Sequence, residues 1–291
     1  MLQKAIEEKP EDNGLPFTHW CSEALSRVAR EAGIVDSIHP STVWKWLNEA
    51  DIRPHRCRYW LRITDPEFEE RMSDVTSLYL QTPALAAQGE QVFCFDEKTT
   101  IQALSRGTPD RLARPGKPHQ RDDRYRRHGI THLLGVLQVA TGKVWGAFRE
   151  TRTGPVIAEF LTELLNSVPN APKVHLVMDQ ASTHMTHEVC RAVAALCGLD
   201  YEERAFPTQR DRRDFLMEGS KRVVFHFTPV RGSWLDQVEI WFSCLQRKVI
   251  DRGSFVSVAE LQHRIVKFMD HYNRFLARPY RWTYTGTPCR R

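Results

Sequence analysis

KVHLVMD, Lys173 to Asp179, is a short apolar run closed by a carboxylate, and QVFCFD, Gln91 to Asp96, has the same form nearer the N-terminus. Runs of this length, rich in Val and Phe, read as strands buried on both faces. Between them, Thr131 to Ala140 and Val144 to Arg149 are strand candidates joined by the turn Thr141-Gly142-Lys143, which makes a hairpin. Pro155 to Ser167 carries Ile157, Phe160, Leu161, Leu164 and Leu165 at helical spacing. After Asp179, the pattern predicts a helix over Thr186–Cys197, a fifth strand over Val223–Thr228, a helix over Ser233–Ile250, and a last helix from Val258 to about Phe275.

Three strands, helix, strand, helix, strand, helix is the element order of a ribonuclease H-like fold. That fold is an α/β architecture with a mixed sheet flanked by helices on both faces. In such a sheet the first and fourth strands are neighbours, so Asp96 and Asp179, each expected to end its strand, emerge side by side. The helix from Ser233 adds a third carboxylate. Trp234, Leu235, Val238, Trp241, Phe242, Leu245 and Val249 form one apolar stripe at about 100° per residue, with Trp234 and Trp241 expected in the core. Glu239 lies just beyond the edge of that stripe, between Leu235 and Phe242, while Asp236 and Gln246 fall farther round or along. Taken singly, a strand-end Asp is usually a cap and a boundary Glu usually a snorkelling surface residue. Taken together, they form an oxygen donor set suited to two hard cations about 3.5–4 Å apart, which is how phosphodiester-cleaving sites are built. Glu97 follows Asp96 and is expected on the opposite face, in a structural or supporting role. His184 is expected either to orient a metal ligand or to sit as a satisfied loop histidine, and Arg231 is a phosphate-contact candidate.

The first 65 residues read as helical. Ala24, Leu25, Val28, Ala29 and Ala32 share one face and Gly33 ends the run; a second helix starts near Pro40. Helix, glycine-containing turn, helix is the outline of a helix-turn-helix, and also of an ordinary helical hairpin. On the first reading Ser41, Thr42, Lys45 and Asn48 lie nearest double-stranded DNA. The basic tail Arg53, His55, Arg56, Arg58 and Arg62, interleaved with Tyr59 and Trp60, favours that reading. The expected organisation is a DNA-binding segment over 1–65, a helical linker over 66–89, and a catalytic domain over 90–291.

The chain of 291 residues has a formal net charge of +5. Between Arg106 and His128, eight Lys and Arg oppose three Asp, so this stretch alone equals the excess of the whole chain. Pro109, Pro115, Gly116 and Pro118 predict an extended loop there. It is either a phosphate-binding surface, with Arg114, Lys117, Arg124, Arg126 and Arg127 as candidates, or a solvated loop. No apolar stretch reaches the ~18–20 residues that cross a bilayer, and no secretory signal is evident, so a cytoplasmic protein without a membrane partner is expected. Seven cysteines without a C-x-x-C pair suggest free thiols rather than disulfides or structural zinc.

Five motifs, in order, resemble those of mariner-related insertion-sequence transposases of the "IS six-thirty" group: FDEKTTIQAL from Phe95, VMDQASTHMTHEV from Val177, FHFTPVRGSW from Phe225, WLDQVEIWFSCLQRKVIDRGSF from Trp234, and RPYRWTYTG from Arg278. The resemblance covers nearly the whole chain. It implies that Asp96, Asp179 and Glu239 are a DDE triad holding two Mg²⁺ ions, with Mn²⁺ as a substitute. It further implies hydrolysis at the terminal inverted repeats of an element, attack of the freed 3′-OH on target DNA at a TA dinucleotide, and a homodimer. A copy that binds DNA without cutting it, and a nuclease of the same fold with another specificity, are the alternatives. Three features depart from the family pattern. Family members commonly carry further helical DNA-binding sequence upstream, so the chain is expected to begin inside that region. Gln180 stands where the family mostly has Asn. Fifty-nine residues separate Asp179 from Glu239, against a usual thirty-odd, with the excess expected over Asp200–Arg222.

Overall fold

The computed structural model describes residues 2–57 and 63–284. Arg58, Tyr59, Trp60 and Arg62 of the basic tail, and the last residues of the C-terminal motif, lie outside them. The chain forms two compact units, Met1–Arg62 and Ile63–Arg291.

The first unit is helical, with α1 (Leu2–Glu7), a 3₁₀ turn (Pro10–Asn13), α2 (Ser22–Glu31) and α3 (Pro40–Glu49). Leu15, Trp20, Ala24, Leu25 and Val28 pack with Val43 and Leu47 into its own small core. Gly33, at φ +66°, turns the chain after α2 where a side chain would be strained. The His39 imidazole accepts the Ser41 N–H at 3.2 Å and caps α3, with Pro40 at its first position.

The second unit begins with α4 (Phe68–Ala87), within the segment expected as a linker; it buries Phe68, Met72, Val75, Leu78 and Tyr79 against the sheet. The sheet has the order β3-β2-β1-β4-β5. Its strands are β1 (Gln91–Arg106), β2 (Tyr125–Gln138), β3 (Val144–Arg149), β4 (Val174–Met178) and β5 (Val223–Phe227). β1, β2 and β3 are antiparallel; β4 and β5 pair parallel to β1 and β4. The other helices are α5 (Gly154–Asn166), α6 (His187–Leu196), α7 (Gln209–Met217), α8 (Val238–Leu245) and α9 (Val258–Phe275). This is the mixed, helix-flanked sheet expected from the sequence.

Alternation along β1 divides the core in two. Val92 and Cys94 join the cluster formed with α4, α8 and α9, whereas Phe93 and Phe95 join the cluster formed with α5 and α6. Burying each Phe contributes roughly 1.5–3 kcal/mol. These double-faced apolar runs fix the register, since a one-residue slip would exchange the two faces.

Four expectations change. β1 does not end at Asp96 but continues ten residues to Arg106, and β2 starts at Tyr125. The basic stretch thus ends in strand on both sides, while residues 107–124 form the expected loop. That loop is folded back on itself by two isolated bridges, Arg111↔Gln120 and Arg114↔Lys117, the latter with backbone hydrogen bonds of 2.9 and 2.8 Å; strands and loop together make a β-ribbon. The helix expected from Ser233 is a 3₁₀ turn over Ser233–Leu235, then α8, then a π turn over Gln246–Ile250. Because Trp234 sits on that separate turn, it is 46% exposed instead of in the core, while Trp241 is fully buried. The added segment between Asp179 and Glu239 contains α7, which no apolar periodicity announced. Among the described residues, no helix is long and apolar enough to cross a membrane.

Candidate active site

The parallel pairing of β1 with β4 ends at Cys94↔Val177. Asp96 and Asp179 each lie two residues beyond that last pair, so the register sets them side by side. By alternation, both continue the face of Cys94 and Val177, which is the face covered by α8. Glu239 stands in the first turn of α8, where the helix dipole favours a carboxylate.

Close approach of α8 depends on Gly135. This residue pairs with Asp96 across β1 and β2. A Cβ there would meet the Phe242 ring at 2.7 Å, so its absence lets Phe242, one turn beyond Glu239, lie on the strand. Asp236 fixes the start of the helix: its Oδ1 accepts the Val238 N–H at 3.1 Å. Tyr79 of α4 donates to the Leu235 carbonyl at 2.8 Å and touches the Cys94 sulfur at 3.0 Å, which pins the turn before α8 to β1.

The electrostatics are those of crowded negative charge. Burial, opposed by the Glu97 N–H bond and reinforced by the charges of Asp179, Glu239 and Glu97, pushes the Asp96 carboxyl up to about 8. Asp236 is 1% exposed, and burial beside Asp96 raises its carboxyl well above the ordinary range. Its burial under the site therefore disfavours a further negative charge there. Sequence reasoning set Asp236 aside as too far round a continuous helix, and only the break after Leu235 puts it here.

His184 lies fully buried between two carboxylates. Its Nδ1 reaches Asp179 Oδ1 at 2.9 Å and its Nε2 reaches Glu97 Oε1 at 3.1 Å. Burial disfavours its charge, but the hydrogen bonds to Asp179 and Glu97 overcome that and raise it to about 10. The same imidazolium holds Asp179 below the usual carboxylate range against its own desolvation. Glu97 is on the face opposite Asp96, as expected, and acts on Asp179 through His184. The Asp179 carboxylate, 42% exposed, also accepts the Ala181 N–H at 2.9 Å.

Among the described residues, no group of three or more His, Cys, Asp or Glu side chains stands ready to hold a metal ion. The side chains of Asp96, Asp179 and Glu239 share a face and each other's field without closing a ligand cage. Their chemistry nonetheless fits a hard divalent cation: the donors are all carboxylate oxygens, and the crowding that adds to burial in raising Asp96 is what a bound cation would relieve, since His184 pairs with Asp179 and not with Asp96.

Asp65, which sequence reasoning missed, organises the loops beside the site. Buried against Arg71 at 2.9 Å, it accepts the Val230 N–H at 3.0 Å. Gln180, next to Asp179, donates to the Thr228 carbonyl at 2.9 Å, joining the ends of β4 and β5. Arg231 follows at φ +64°, strained for a non-glycine residue, and is exposed.

The remaining candidates are exposed basic or polar residues. Arg114, Lys117, Arg124, Arg126 and Arg127 are exposed along the ribbon, and Arg121 anchors it through the carbonyls of Asp251 and Gly253 at 3.0 and 3.1 Å. In the first unit, Ser41, Lys45 and Asn48 share the exposed face of α3, and Thr42 is half-buried beside them; Arg53 and Arg56 are exposed, Arg53 near Asp51 at 3.1 Å.

The family model described as DDE superfamily endonuclease matches residues 91–262, more than half of the chain. An uncharacterized 39 kDa protein of insertion element IS630 from Shigella sonnei is 22% identical over 280 residues, which is 94% of this chain and 71% of that protein. Of solved structures, the Mos1 transposase paired-end complex with left transposon end is similar at a TM-score of 0.50 and 15% identity, covering 86% of this chain and 66% of that one. The Mos1 mariner paired end complex with Mn gives a TM-score of 0.51 at 13% identity, covering 88% of this chain and 73% of that one. The likeness shows that the sheet and its helices have the ribonuclease H-like fold.

Proposed function

The chain belongs to the DDE superfamily of endonucleases, and from that premise we propose that it is a transposase that cuts DNA at the ends of a mobile element and joins the freed ends to target DNA. The observation that carries this reading is the placement of Asp96 and Asp179 at equal distance beyond the last parallel pair, on the face that α8 covers with Glu239. The insertion-element relative and the Mos1 structures support it.

Asp96, Asp179 and Glu239 would hold two Mg²⁺ ions, or Mn²⁺ in their place. Such ions lower the pKa of a bound water and offset the charge that develops on the attacking and leaving oxygens. The chain's own residues prepare the site. His184 holds Asp179 ionised, its Nδ1 lying 2.9 Å from Oδ1 and hydrogen-bonding the Asp179 carbonyl at 3.1 Å, with Glu97 fixing the other ring nitrogen, as outer partners of metal ligands commonly do. Burial beside Asp96 raises the Asp236 carboxyl, and its Oδ1 holds the start of α8 through the Val238 N–H. Gly135 lets α8 approach closely enough for Glu239 to act with the two aspartates. The ribbon residues Arg114, Lys117, Arg124, Arg126 and Arg127, together with Arg231, would contact phosphates. The α3 face bearing Ser41, Thr42, Lys45 and Asn48, with Arg53 and Arg56, would read terminal inverted repeats. Joining two ends into a TA-containing target calls for two copies of the chain.

The test is nicking of duplex DNA carrying the inverted repeats that flank the gene, in Mg²⁺ or Mn²⁺. Wild type should cut and Asp179→Ala should not. Equal residual cutting by the two proteins overturns the catalytic reading.

A further inference from the structure

The segment between α6 and β5 is built into the site rather than looped away from it. Thr208 and Asp211 cap α7 reciprocally, the Thr208 N–H donating to Asp211 at 2.8 Å and the Asp211 N–H to Thr208 at 3.2 Å. Tyr201, Phe206 and Phe215 pack ring against ring with centroids 5.0–5.4 Å apart. Arg212 donates to the carbonyls of Met185, Phe206 and Pro207 at 2.7, 3.2 and 3.1 Å. Met185 ends the 3₁₀ turn (Ser182–Met185) that carries His184. Arg212 therefore bolts α7 to the segment that follows Asp179.

This docking creates a cleft of about 450 Å³ whose lining includes Gln180, the neighbour of Asp179, and Arg71, Arg210 and Arg213. Two acids also line it, Asp65 and Glu67, and both are engaged by Arg71. Arg213 hydrogen-bonds Asp214 at 3.3 Å and lies 3.6 Å from Glu67. Arg210 is 76% exposed and only 3.8 Å from Asp214 at its closest. Arg210 is thus only weakly engaged, and Arg213, 16% exposed, is held by acids that are themselves partly exposed; both stand on a fixed helix beside the candidate cutting site. Their planar forks suit phosphate oxygens.

We propose that α7 forms a phosphate subsite for the DNA strand next to the bond being cut, with Arg210 and Arg213 as its cations. The proposal rests on the DNA-cutting reading above and adds a binding surface that the added segment alone supplies. Asp214 tunes the subsite by competing with phosphate for both arginines.

The test is binding of a fluorescein-labelled duplex DNA across a salt series, read by anisotropy, with melting temperatures confirming that the variants fold. Arg210→Ala/Arg213→Gln should weaken binding roughly tenfold. It should also flatten the slope of log K against log[salt] by about 0.9 for each phosphate that is no longer neutralised. Asp214→Asn should tighten binding roughly two- to fivefold, a gain that a purely structural role for α7 would not give. Unchanged slope and affinity in the double variant, with wild type binding normally, overturn the subsite while leaving the transposase reading intact. Failure of wild type itself to bind the duplex overturns both.

Discussion

Replacing Asp96 with Asn should stabilise the metal-free protein while abolishing cutting. Asp96 carries its proton up to about 8 in the folded chain, against 3.8 ordinarily, mainly because it is buried and because Asp179, Glu239 and Glu97 are close. The folded state therefore binds more protons than the unfolded state between these two values, and stability falls as pH rises through that window. At about 1.4 kcal/mol per pH unit the ceiling on this loss is about 6 kcal/mol. Solvent reaches the site, the Asp179 carboxylate being 42% exposed, so screening reduces the expected loss to about 1–3 kcal/mol. For a domain of this size that is a gain of roughly 3–9 °C in melting temperature for Asp96→Asn. The assay is thermal unfolding in chelator from pH 4 to 9. The variant's advantage should be absent near pH 4 and full above pH 8, and Mn²⁺ should raise the melting temperature of wild type far more than that of the variant. A variant that melts no higher than wild type at pH 8, or whose advantage is as large at pH 4 as at pH 8, refutes the claim that crowded negative charge strains the site.

Gly135→Ala should lose about 1–3 kcal/mol by overpacking against Phe242, and cutting should fall further than stability explains because Glu239 moves with the helix; unfolding and single-turnover rates measure the two effects separately. Arg231→Gly should relieve a positive φ worth about 1 kcal/mol yet weaken DNA binding, and a variant that is stabilised without losing affinity removes Arg231 as a phosphate contact. His184→Leu leaves Asp179 and Glu97 without their shared cation and should cost about 2–4 kcal/mol. Since His184 is raised from 6.5 to about 10, its stabilisation is complete below pH 6.5 and is lost as pH rises through 10. Melting curves of both proteins from pH 6 to 10 should therefore converge toward the alkaline end.

The legible parts of the sequence were those where burial imposes a period. QVFCF and KVHLVM are apolar on both faces, so the strands and the carboxylates at Asp96 and Asp179 could be read directly; their adjacency followed from the element order, and the apolar period of α9 placed it over Val258–Phe275. The β2 arm of the ribbon was not legible, because Tyr125–Ile130 is exposed and no buried alternation marks it as strand. On the β1 arm the alternation of buried Ile101, Ala103 and Ser105 was a signal, interrupted from Asp96 to Thr100 by polar residues. α7 escaped for a related reason. Only Leu216 of its nine residues is buried, and its order comes from a capping box and from Arg212 reaching back to Met185, which no local pattern reveals. Around Glu239 the helical period was carried through a 3₁₀ turn. That extrapolation misplaced Trp234 and hid Asp236, whose burial depends on Tyr79 and Cys94 from distant parts of the chain. The partnership of His184 with Glu97 and Asp179 was open from sequence, since whether a loop histidine is satisfied or functional depends on what tertiary folding brings to its two nitrogens.

On the proposed function, Asp96, Asp179 and Glu239 together bind divalent metal. The most direct measurement is an anomalous difference map from crystals of the DNA-bound protein grown in Mn²⁺. Manganese peaks should lie among these three carboxylates and should be lost in Asp96→Asn. Crystals in saturating Mn²⁺ with no peak there, or with manganese bound only elsewhere, would contradict it.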